Sequence, residues 1–147
     1  IDQYGKVIMD GFIPRKGNNK QLNVLGGDLQ ACHSSDDKDD NDNNIVTGFY
    51  RDNCCNTGYD DHGLHTVCCV MTEEFLVYSK SVGNDLSTPI PEYGFLGLNE
   101  GDLWCLCASR WGDAYQAGKA PKVILQSTNI ATLSLIELDD LKKHSIK

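Results

Sequence analysis

The sequence predicts an α+β fold: a compact two-layer sandwich of a small sheet with short helices, joined by long ordered loops. Three observations carry this. Candidate strands and helices are short and mixed rather than strictly alternating, which argues against a doubly wound arrangement. Turn-forming residues fill long connections such as 53–65 (NCCNTGYDDHGLH) and 84–101 (NDLSTPIPEYGFLGLNEG). The chain has 147 residues, 40% of them hydrophobic and 23% charged, which suffices for one core.

The elements follow in order. Residues 1–21 read as an N-terminal arm, punctuated by Pro14, Gly17, Asn18 and Asn19, in which only 7–9 (VIM) suits a short strand. Residues 22–147 form the domain. Leu22 to Leu25 predicts a brief strand closed by Gly26 and Gly27, and 34–44 (SSDDKDDNDNN) a solvated, low-complexity insertion. Val67 to Met71 is apolar on both faces and predicts a buried strand. Thr72 then caps a helix with Glu73 and Glu74 in its first turn and Gly83 as its stop. Leu103 to Ala108 again has two apolar faces and predicts a central strand. A short helix follows over 110–117, ended by Gly118. Val123 to Gln126 and Leu133 to Leu138 predict two more strands, and Asp139 the cap of a C-terminal helix.

Charge and hydropathy exclude several function classes. The net charge is −8, and half of it sits in 36–42 (DDKDDND), where five Asp face one Lys. Without a basic stripe, a phosphate backbone finds little to bind, so no nucleic-acid partner is expected. No apolar run approaches the ~20 residues of a transmembrane helix. Ile1 stands where an initiator Met would be, and residues 1–12 lack the pattern of a signal or transit peptide; any leader is expected to be gone already.

Seven cysteines (Cys32, Cys54, Cys55, Cys68, Cys69, Cys105 and Cys107) are many for this length. The odd count and two vicinal pairs argue against a disulfide framework, because neighbouring cysteines bond to each other only with strain. Mostly free thiols are expected, in a soluble protein of a reducing compartment: the cytoplasm, or an organelle interior after leader removal.

The candidate site residues are Cys32, Cys54, Cys55, Cys105, Cys107, His65, Arg51 and Arg110. Thiols with His33, His62 and His65 nearby suggest zinc, but the C-x2–4-C knuckle is missing, so no metal ligand is assigned, no cofactor is expected and zinc stays an open alternative. Redox or nucleophilic thiol chemistry needs a nearby cation, and Arg51 and Arg110 each lie three residues from a cysteine. Buried thiols packing as small hydrophobes account for the same residues. Arg51 and Arg110 sit beside Tyr50 and Trp111, where a guanidinium suits a carboxylate or phosphate; internal pairing with Asp52, Asp85 or Asp113 is the favoured reading. Asn84-Asp85-x-Ser87-Thr88-Pro89 predicts an Asx/ST turn. No P-loop, dinucleotide fingerprint, G-x-S-x-G or H-E-x-x-H occurs.

The segments NVLGG (23–27), TGFYRDNCCNTG (47–58), HTVCCVMTEEFL (65–76), GNDLSTP (83–89) and GDLWCLCASRW (101–111) together resemble the domain-of-unknown-function family numbered 2237, a set of small, mostly bacterial proteins. The resemblance spans about 22–145. It implies a compact two-layer α+β domain and no particular reaction. The arm, the acidic insertion and Cys69 depart from the family pattern. Without a catalytic motif, the sequence favours a non-catalytic interaction module or accessory subunit, with a protein partner engaged by the apolar residues of the arm. The alternative is a small enzyme, or a ligand- or metal-binding protein, built on the Cys/Arg-rich loops.

Overall fold

The computed structural model describes residues 21–33 and 46–146. The arm, apart from Gln21, and the acidic insertion at 34–44 lie outside the described residues. The α+β architecture is as expected. Three antiparallel strands, β1 (His65–Val70), β2 (Leu103–Cys107) and β3 (Lys122–Val123), form a sheet ordered β2-β1-β3. Three short helices, α1 (Glu73–Ser81), α2 (Ala108–Gln116) and α3 (Leu138–Lys143), complete the regular structure with three 3-10 turns.

The two faces of the sheet carry different chemistry because side chains alternate along each strand. Val67 and Cys69 of β1, Trp104 and Leu106 of β2 and Val123 of β3 share one core with Phe75 and Leu76 of α1, Trp111 and Ala114 of α2 and Leu141 of α3. Cys68 and Cys105, opposite each other in register, lie on the other face and cluster with Cys32 and Cys55 from the loops. α1 begins as predicted: the Thr72 hydroxyl accepts the Phe75 N–H at 3.1 Å, satisfying a donor the first turn leaves open. It ends at Gly83, whose φ of 96° only glycine adopts without strain.

Several expectations are corrected. β2 is an edge strand rather than the central one, which is β1. Its residues 104–106 are nonetheless buried, because a loop covers the edge: the Cys105 N–H is donated to the Thr47 hydroxyl at 2.8 Å. The strand expected at Leu22 to Leu25 is reduced to isolated bridges, since the Asn23 side chain accepts the N–H groups of Leu25 and Gly27 and turns the chain. The strand expected to run from Val123 to Gln126 stops after Val123 and gives way to a 3-10 turn, Leu125–Ser127; the Thr128 hydroxyl bends the chain by bonding Ile124 O. Leu133 to Leu138 is no strand: the Asn129 carboxamide caps a 3-10 turn at Ile130–Ser134, and Leu135 faces solvent. α3 is capped at Glu137, with Asp139 inside its first turn. α2 starts at Ala108, directly from β2, which makes Cys107 its N-cap residue.

Candidate functional site

Four of the seven cysteines are paired, Cys32 with Cys68 and Cys55 with Cys105. Neither vicinal pair is bonded to itself, as expected, but the expectation of mostly free thiols is overturned. Pairing is set by which strands and loops the fold brings together, and spacing along the chain does not encode it. The reasoning that led to a reducing compartment loses its premise. Among the described residues no helix is long and apolar enough to cross a membrane.

The three cysteines outside the disulfides differ. Cys69 is fully buried in the apolar core, and burial pushes its thiol well up. It packs as a small hydrophobe. Cys54 is partly exposed on the 53–57 loop. Cys107 is half-buried at the junction of β2 and α2, at the position where the helix dipole favours negative charge.

Cys107 stands opposite His65 in the β1–β2 register, and its thiol is near enough to raise the proton affinity of the imidazole. A β-bulge between His65 and Val67 makes this pairing. Without it His65 would share the face of Val67 and Cys69; the extra residue re-aims the imidazole to the side of Cys105 and Cys107. Leu64 turns the chain into the strand with a φ of 50°, and the Thr66 N–H is donated back to Leu64 O. A non-glycine residue held there marks a constrained site.

Asp61 completes the group. Its Oδ1 lies 2.7 Å from His65 Nδ1, and its Oδ2 accepts the His65 backbone N–H and the Thr57 hydroxyl, each at 2.9 Å. Burial pushes the Asp61 carboxyl up, but the hydrogen bonds from His65 and Thr57 outweigh it and hold the carboxyl below its ordinary value. The hydrogen bond to Asp61, reinforced by the nearby Cys107 thiol, pushes His65 up to about 10, so its ring is an imidazolium at neutral pH. Phe49 stacks on that ring at 5.7 Å. With Nδ1 taken by Asp61, Nε2 is the nitrogen left for the thiol. Gly63 makes room for the pair: a Cβ there would come within 3.0 Å of His65 Cε1 and 3.3 Å of Cys107 Sγ.

His65 and Cys107 open into a cavity of about 340 Å³, walled among others by Phe49, Arg51, Asn84 and Trp104. The Arg51 guanidinium lies over the Trp104 ring at 5.4 Å and donates to Gly48 O at 3.0 Å. Arg51 and Asn53 also have positive φ, 58° and 63°, so constrained backbone flanks both sides of the cavity. The carboxylates expected to pair with Arg51 are engaged locally: Asp52 accepts from the Cys54 N–H and Asn56, and Asp85 closes the predicted Asx turn on Ser87 and Thr88.

Of the predicted site residues, the fold brings Cys107, His65 and Arg51 to one cavity, and Cys32, Cys55 and Cys105 to a buried cluster behind it, with Cys105 touching both. Arg110 lies on the first turn of α2 and does not line the cavity. Asp61 escaped the sequence reading because it looks like one turn former among many. Its signal is the Asp-x-x-x-His spacing to His65.

No curated protein matches the chain. The family model described as an uncharacterized protein conserved in bacteria (DUF2237) matches residues 22–145. That is most of the chain, and its matched span ends within the last helix-bearing segment of the domain just described; the protein therefore belongs to the DUF2237 family.

Proposed function

We propose that the domain is a small thiol enzyme for acyl transfer, with Cys107 as nucleophile, His65 as acid–base partner and Asp61 as the positioning residue that orients the ring. The observation that carries this is the Asp61–His65–Cys107 group at the wall of an open cavity: a thiol opposite an imidazole in register, and that imidazole bonded to a buried carboxylate. His65 holds its proton at neutral pH, and a cysteine reacts as its thiolate. The thiolate adds to an acyl carbon, and the imidazolium gives its proton to the departing group as the carbon–heteroatom bond breaks, leaving a thioester on Cys107. The neutral imidazole then takes a proton from water, which hydrolyses the thioester and restores the ion pair. No side chain caps α2, so the N–H groups of Ser109 and Arg110 in its first turn are suitable donors for the oxyanion.

The interaction-module reading rested on the lack of a catalytic motif and, for its partner, on the arm, which apart from Gln21 lies outside the described residues. One observation still favours it: Val46, Tyr93 and Leu96 are exposed around a second cavity that shares Arg51 and Trp104 with the first. A docked polypeptide there would reach the thiol.

The test is mass spectrometry of the oxidised, full chain after brief exposure to an activated acyl ester. An acyl adduct on Cys107 that turns over is expected. Turnover should fall ~1,000-fold or more in Cys107→Ser and strongly in His65→Ala. Equal acylation of Cys54 and Cys107, unaffected by His65→Ala, would remove the enzyme reading.

A further inference from the structure

Behind the cavity, four sulfurs from four separate stretches of chain meet in one buried cluster. Cys68 comes from β1, Cys105 from β2, Cys32 from the loop after Gln21, and Cys55 from the loop covering the β2 edge. All four are at most 1% exposed, and Leu103 and Ile124 pack against them. The two disulfides are not isolated: the sulfurs of Cys32, Cys55 and Cys105 all lie within 4.8 Å of one another. We propose that, once both disulfides are reduced, Cys32, Cys55, Cys68 and Cys105 bind one zinc ion as a closed tetrathiolate site.

The chemistry of the donor set selects this ion. Four thiolates suit a soft or borderline cation, whereas calcium and magnesium prefer oxygen ligands. Zinc takes four such ligands at about 2.3 Å, which places the sulfurs of a tetrahedron about 3.8 Å apart. The Cys32 sulfur already lies within 4.8 Å of both sulfurs of the Cys55–Cys105 bridge. The bonded partners must separate and the Cys68 sulfur must close on the other three; the loop residues Cys32 and Cys55 can yield while the paired strands hold Cys68 and Cys105. Exclusion of water keeps the site closed, as in a structural rather than a catalytic centre.

The reaction balances with a dithiol as reductant. Two dithiols give four electrons and four protons, both S–S bonds break, and four thiols form while each dithiol becomes a disulfide. Zinc then displaces four thiol protons to solvent. The same four sulfurs thus cross-link the loops to the sheet in two ways, covalently when oxidised and through the metal when reduced. Cys107 is in neither.

The test is anaerobic titration of the full chain, reduced with dithiol and then freed of it, with cobalt as a coloured stand-in and zinc as competitor. One cobalt per chain is expected, with intense thiolate-to-cobalt absorption, displaced by one equivalent of zinc. The oxidised chain should take up none. Cys32→Ser should weaken uptake ~100-fold or more, and Cys107→Ser should leave it unchanged. The wild-type titration stands alone if the Cys32 variant fails to fold. A reduced chain that binds no cobalt would overturn the proposal, as would binding lost in Cys107→Ser, which would move the metal to the cavity.

Discussion

Cys105 and Cys107 lie two residues apart on the same face of one strand, and the fold gives them opposite tasks. Cys105 is buried and bonded to Cys55, in a cluster of four sulfurs packed by Leu103 and Ile124. Cys107 is half-buried, outside both disulfides, opposite His65, and open to a cavity. The strand supplies the same direction to both; what differs is what the loops place opposite. Loop 53–57 brings a second sulfur to Cys105, and the bulge in β1 brings an imidazole to Cys107. One part of the face is a staple for the loop layer, and the next a reactive site that the staple steadies.

The largest expected effect breaks the staple. The Cys32–Cys68 and Cys55–Cys105 bridges close loops of 36 and 50 residues. The chain-entropy model gives each about 4 kcal/mol in the oxidised protein. Replacing Cys55 and Cys105 together by Ala should therefore lower the unfolding free energy by about 4 kcal/mol, as read by urea denaturation. Cys107→Ala, two residues on, should move it by less than about 1 kcal/mol. Equal losses would mean that the two thiols are not divided as described.

A smaller effect sharpens the reactive half. At Gly63 an added Cβ meets His65 Cε1 at 3.0 Å and Cys107 Sγ at 3.3 Å. The ring cannot recede freely, since Asp61 ties it and Phe49 stacks on it. Gly63→Ala should push the pair apart and slow alkylation of Cys107 by iodoacetamide ~10-fold near neutral pH. The disulfides should stay intact, and Cys69 should remain unlabelled until the chain unfolds. An unchanged rate at Cys107 would show that its reactivity owes nothing to His65.

This division explains how much the sequence disclosed. β1, β2 and α1 were legible because apolar residues on two faces and a Thr72 cap are local signals. The candidate cysteines, His65 and Arg51 were legible as residue types. Their grouping was not. Edge position for β2, the bulge that re-aims His65, and the choice of partner for each cysteine depend on residues tens of positions away. The C-terminal apolar run misled for the same reason: Asn129, which caps the turn there, is held by Gln21 and Cys55 O across the molecule.

The smallest effect is the pH dependence of stability from the Asp61–His65 pair. His65 is raised from an ordinary 6.5 to about 10, so the fold holds its proton more tightly than the unfolded chain does. That contribution is complete below about 6.5 and is lost as pH rises through about 10. Asp61 is lowered from an ordinary 3.8, so its contribution is present above that value and is lost as pH falls through its lower folded value. Both hold between about pH 4 and 6.5. His65 is about a third exposed, which weakens the effect by solvent screening. The groups facing the ring are Asp61, the Cys107 thiol and the Phe49 ring. Measured in a Cys107→Ser background, which removes the thiol's own titration, the stability advantage of Asp61 over an Asp61→Asn variant should be greatest in that window. It should shrink as pH rises above 6.5 and be lost before about 10, because the thiol that helps raise His65 is gone. A gap that stays constant over that range would show that Asp61 holds His65 by shape alone, and that the imidazolium required for acid catalysis at Cys107 is not stabilised by the carboxylate.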